Sequence, residues 1–112
     1  MCKVKLLDIV NVHDAGTLIN PALAEAQVHG GMSMGIGFGL SENLLFDPKT
    51  GRALNNNLLD YKLSTFMDHP RLRAYFVENA EPTSAFGTKS LGEPPTCSIA
   101  PAIRNAVYQA TG

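Results

Sequence analysis

Residues 20–41, NPALAEAQVHGGMSMGIGFGLS, decide how the chain is read. Asn20 offers a side-chain oxygen to the unpaired N–H groups of a first helical turn, and Pro21 brings a preset φ to a position that needs no N–H. The spacing predicts a helix from Pro21 to about Ser41. Inside it Gln27, Gly31, Gly35 and Gly39 recur every four residues and share one ridge. The five glycines between positions 30 and 39 should each cost about 1 kcal/mol relative to alanine. Something must therefore approach the bare ridge closely. Spacing leaves two occupants open: another helix or strand, or a bulky ligand with the Gln27 amide as donor and acceptor at one end. The glycines match neither G-x-G-x-x-G after a strand nor a P-loop, which sets those phosphate cradles aside.

Outward from this helix the pattern is mixed. Residues 4–12 (VKLLDIVNV) read as a strand covered on both faces, with a turn at 13–16. Residues 43–46 and 52–54 read as short strands around the hairpin-type turn DPKTG, 47–51, followed by a polar loop at 55–57. Residues 58–66 are ambiguous, and Asp68-His69-Pro70 breaks whatever precedes it. Residues 72–78 (LRAYFVE) alternate as a strand does, and 79–93 read as loop. Ile99, Ala102, Ile103, Ala106, Val107 and Ala110 form a helical apolar stripe in a second helix, about 96–110. Pro101 requires that this helix start near Ser98 or kink. The fold class expected is α+β: short, mostly antiparallel strands with two main helices, as a single partial domain over 1–112.

Hydrophobic residues make up 45% of the 112 and charged residues 17%, the balance of a folded chain with a modest core. The net charge is −1 with scattered basic residues, so no nucleic-acid stripe is present. No apolar run reaches the roughly 18 residues of a membrane span. The first residues, MCKVK, lead into strand-like sequence without signal-peptide architecture. Cys2 and Cys97 show neither CxxC nor Cys/His spacing, which points to no zinc site, no disulfide framework and a reducing cytoplasm.

The polar candidates are few. His13, His29 and His69 lack ligand spacing and read as surface or turn histidines; no metal ligand is assigned. Met32 and Met34 read as core fillers, and Cys97 as packing near a helix start. Lys89 is either a solvated loop residue or the holder of an anionic group. Glu93, in GTKSLGEPP at 87–95, stands at or just before a helix start, after a flexible glycine and ahead of two rigid prolines. It is either a helix-start charge or a catalytic base on a stiff mount.

Three segments in order resemble the molybdenum hydroxylase family of xanthine dehydrogenases and aldehyde oxidases, in the C-terminal part of the molybdopterin-binding subunit. They are DAGTLINP at 14–21, QVHGGMSMGIG at 27–37 with Glu42 closing the helix, and GTKSLGEPP at 87–95. NLLDYK at 57–62 resembles the bacterial xanthine dehydrogenases in particular. The resemblance implies that Glu93 is the general base toward a hydroxyl or water on molybdenum, which attacks an electron-poor carbon of a purine or aldehyde. It implies that Gln27 hydrogen-bonds near the pterin, that the cofactor rests on the ridge of Gly31 and Gly35 in a pocket shared with Glu93, and that Lys89 and Ser90 belong to the loop beside the same site.

A complete subunit of that family is several times longer and works with iron–sulfur and FAD modules or subunits. The chain is accordingly expected to be a fragment, inactive and without molybdopterin when isolated, whose partners are the remainder of the molybdenum subunit and those modules. The competing reading is a non-catalytic interaction module that docks a partner, or a second copy in a homo-oligomer, through the glycine ridge.

Overall fold

The computed structural model describes residues 3–112; Cys2 lies outside them. Strand β1 (Asp8–Asp14) is followed by helix α1 (Pro21–Leu40), strand β2 (Arg71–Val77), the single-turn helix α2 (Pro94–Cys97) and helix α3 (Ile99–Thr111). Asn20 caps α1 as its chemistry demands: its Oδ1 accepts from the Leu23 N–H at 3.1 Å, with Pro21 at the first helical position.

β1 and β2 pair in parallel, in register from Asp8 with Arg71 to Asp14 with Val77. This corrects the expectation of mostly antiparallel strands. Residues 15–70, α1 included, connect the two strands, and a crossover of that length returns the chain to the end from which it started. The expected hairpin survives as a single antiparallel bridge between Phe46 and Ala53. The buried Asn55 holds it, donating from Nδ2 to the Asn43 carbonyl (2.7 Å) and accepting from the Leu45 N–H (2.8 Å). Among 58–66 no regular element forms until a 3₁₀ turn at Phe66–Asp68, whose Asp68 carboxylate accepts from the Thr65 N–H.

β1 starts later than predicted and runs through His13 and Asp14, where a turn was expected. It is covered on one face only: Ile9, Asn11 and His13 point inward while Val10 and Val12 stay exposed. One helical layer can cover only one side of a sheet. The predicted last helix is divided at Ser98 into α2 and α3, which places Pro101 third in α3, inside the first turn where its missing N–H costs nothing.

The core joins Val28, Met32 and Ile36 of α1 to Ile99 and Ile103 of α3, with Ile9, Leu72, Ala74 and Phe76 of the sheet packed against it. Met34 falls on the opposite side of α1 and is exposed, so it is not a core filler.

The glycine ridge is the seam between α1 and the α2–α3 segment. A Cβ on Gly31 would lie 2.5 Å from Pro95 Cβ, one on Gly35 2.4 Å from Ile99 Cβ, and one on Gly39 3.3 Å from Ala100 Cα. The two glycines expected to carry a cofactor are therefore filled by this chain's own residues. The same packing removes the reading in which the ridge docks a partner or a second copy. No helix among the described residues is long and apolar enough to cross a membrane.

Candidate active site around Glu93

Two loops that are distant in sequence interlock at the end of β1. Gly16 adopts φ +64°, and a side chain there would strike the Gly87 carbonyl at 2.3 Å. Glycine alone allows this approach. The Thr17 N–H then donates to Gly87 O (2.9 Å) and the Lys89 N–H to Ala15 O (3.0 Å). Asp14 closes the joint: Oδ1 accepts from the Gly16 N–H (3.1 Å) and Oδ2 from Lys89 Nζ (2.6 Å). Lys89 is thus ion-paired to Asp14. It ties the segment that leads to Glu93 onto β1.

The Lys89 ammonium foremost, then the Gly16 amide, hold the Asp14 carboxyl below the usual aspartate range. A carboxyl depressed in the folded state adds stability that is complete above its unfolded value, about 3.9, and is lost as pH falls through the lower folded value. Unfolding midpoints of the wild type and Asp14→Asn should therefore differ by a constant amount above about pH 5. They should converge on acidification; a gap that persists at pH 2 would argue against the pair.

Glu93 directly precedes α2, with φ −103° and ψ −29°, and its side chain makes no capping hydrogen bond. Its mount is tethered on both sides. Gln27 Nε2 donates to the Gly92 carbonyl at 2.7 Å, and Asn11 Nδ2 donates to the carbonyl of the fully buried Pro95 at 3.1 Å. Glu93 lines an open cleft of about 730 Å³ together with Ser90, Gly92, Pro94, Cys97 and Ser98 on one side and Asn11–His13 of β1 on the other. The expectation that Glu93 and the glycine ridge share a pocket is corrected: no ridge residue lines this cleft, because Pro95 and Ile99 lie between. Gln27 reaches the site only through Gly92.

His13 is half-buried in the cleft wall, and its Nε2 is buried without a hydrogen-bond partner among the described residues. Burial lowers its pKa, keeping the ring neutral near pH 7. The other histidines lie elsewhere: His69 Nε2 is 3.0 Å from Ser33 Oγ, and His29 Nε2 is 3.9 Å from a Glu25 oxygen. Cys97 is an exposed free thiol. Among the described residues no group of three or more His, Cys, Asp or Glu side chains is placed to hold a metal.

Asn11 and His13 were not anticipated at the site. The only sequence signal for Asn11 is an amide in the middle of an aliphatic strand, where an unpaired polar group is costly.

Residues 1–70 match the family described as the molybdopterin cofactor-binding domain. The chain belongs to that family. Across all 112 residues it is 58% identical to the xanthine dehydrogenase molybdenum-binding subunit of Escherichia coli O157:H7, covering 15% of that protein. It is 35% identical over 111 residues to the aldehyde oxidoreductase molybdenum-binding subunit PaoC of Escherichia coli K12, covering 98% of this chain and again 15% of the relative. Among solved structures, quinoline 2-oxidoreductase from Pseudomonas putida 86 superimposes with a TM-score of 0.82 at 33% identity, over 88% of this chain and 12% of that one. The molybdopterin-domain chain thus spans about 15% of the length of these curated relatives.

The residues present fit one side of a molybdenum–pterin group. The Glu93 carboxylate, without a hydrogen-bond partner among the described residues, lines an open cleft, and the His13 Nε2, likewise without one, lies in its wall. Among the described residues no lysine or arginine lines the cleft, and Lys89 pairs with Asp14.

Proposed function

We propose that this chain forms the Glu93 wall of the active site in a molybdenum-cofactor oxidoreductase that hydroxylates a purine or an aldehyde, with water as the oxygen source. One observation carries the reading. Glu93 is an exposed carboxylate without a capping bond, standing in a cleft on a backbone stiffened by Pro94 and Pro95 and tethered by Gln27 and Asn11.

When bound, the cofactor would supply a Lewis acid and accept the hydrogen of the broken C–H bond together with its electron pair as C–H becomes C–OH. Glu93 accepts, at a carboxylate oxygen, the proton that water gives up as its oxygen adds to the electron-poor carbon. Gln27 spends one amide proton on Gly92; its second proton and its oxygen are the cofactor contacts in this reading, with the Ser90 hydroxyl beside them. The xanthine and aldehyde names of the relatives favour purine and aldehyde substrates.

The rest of the site belongs to the remainder of a molybdenum-binding subunit, and iron–sulfur and FAD groups on other modules pass the electrons on, in a cytoplasmic enzyme. The outer face of α1 favours such a neighbour: Leu23, Met34 and Phe38 are 68%, 57% and 73% exposed, and a helix apolar on all sides is ordinarily buried. The test is Glu93→Gln in the complete subunit, read as turnover per bound molybdenum.

A further inference from the structure

Among the described residues Glu93 makes no side-chain hydrogen bond, so its position is set by its backbone. That backbone is held at two points by other elements: at Gly92 by Gln27 from α1, and at Pro95 by Asn11 from β1. A Cβ at Gly92 would meet nothing within 4 Å, so side-chain packing does not fix this residue and the Gln27 bond does. Asn11 is 6% exposed and, with Asn55, one of two buried polar side chains among the described residues. Asn55 secures the hairpin bridge. Asn11 spends its amide N–H on the carbonyl two residues beyond Glu93. A leucine would fill the same volume without the cost of burying an amide.

We infer that Asn11 is a positioning residue, which with Gln27 clamps residues 92–95 and so sets where the Glu93 carboxylate stands in the cleft. The inference rests on Glu93 being the base. Displacing a reacting group by about 1 Å costs up to about 10²-fold in rate, so the clamp acts on turnover rather than on substrate affinity.

The experiment uses the complete, cofactor-loaded subunit with Asn11→Leu, which keeps size but loses the donor, and Asn11→Ser, whose hydroxyl is shorter than the amide it replaces. Each is made alone and combined with Glu93→Gln. Both single variants should lower kcat about 10–100-fold per bound molybdenum while KM stays within about 3-fold. In the Glu93→Gln background either should change the residual rate by less than about 3-fold, because there is no base left to misplace.

A kcat near wild type in both variants overturns the inference, and so does an equal fall with and without Glu93. Loss of cofactor or of folded protein in both overturns it too, by making Asn11 merely structural. Full turnover in Glu93→Gln alone would defeat the base itself. An inactive Glu93→Gln beside normal Asn11 variants would defeat only the clamp.

Discussion

Glu93→Gln in the complete, cofactor-loaded subunit is expected to lower turnover by about 10²–10⁴-fold, the range typical of a lost general base. The carboxamide has the size of the carboxylate but accepts no proton at neutral pH. Little else should change. The side chain is exposed and caps nothing, and the bonds from Gln27 and Asn11 reach the backbone carbonyls of Gly92 and Pro95 rather than the carboxylate. Molybdenum content and unfolding midpoint should therefore match the wild type. Turnover above about a third of wild type at equal cofactor content would exclude Glu93 as the base.

The second large effect concerns stability, and its sign alternates along one helix. Gly31→Ala places a methyl 2.5 Å from Pro95 Cβ and 3.0 Å from a Pro95 backbone carbon, and Gly35→Ala places one 2.4 Å from Ile99 Cβ. Gly31 faces main chain and a proline ring, which yield little; overpacking of this kind costs about 1–3 kcal/mol. Gly30→Ala meets nothing within 4 Å and exchanges a poor helix former for the best, a gain of up to about 1 kcal/mol. Urea midpoints should thus fall for Gly31→Ala and Gly35→Ala and rise for Gly30→Ala. A raised midpoint for Gly31→Ala would mean that the ridge is not the seam.

What the residues disclosed in advance was mostly local. Asn20-Pro21 marks the start of α1 through hydrogen bonds within one turn, and Pro101 dictates where α3 begins for the same reason. The alternation at 72–78 announces a strand, yet alternation says nothing of the partner or its direction, so the parallel pairing with β1 stayed hidden. The hairpin pattern at 43–54 was genuine but weak, because one buried amide, Asn55, takes the place of a ladder. The every-fourth glycine spacing correctly required a close neighbour. It carried no information on whether that neighbour was a ligand or Pro95 and Ile99 of the same chain.

At the site, family resemblance singled out Glu93, and geometry adds what holds it. Lys89 looked free because its partner, Asp14, lies far away in sequence. Asn11 was passed over because a strand residue reveals its hydrogen-bond partner only once α2 has been folded against it.

The strand pair also has a consequence in time. Closing a long intervening loop is slow, whereas a capped helix winds within about a microsecond. As the chain leaves the ribosome, the Asn20-capped helix emerges well before Arg71–Val77 and earlier still than Pro94–Thr111, the segments that shelter it. Until α3 has been made, Val28, Met32 and Ile36 lack Ile99 and Ile103, so a ribosome pausing in this interval would display a partly uncovered apolar helix for chaperones to guard.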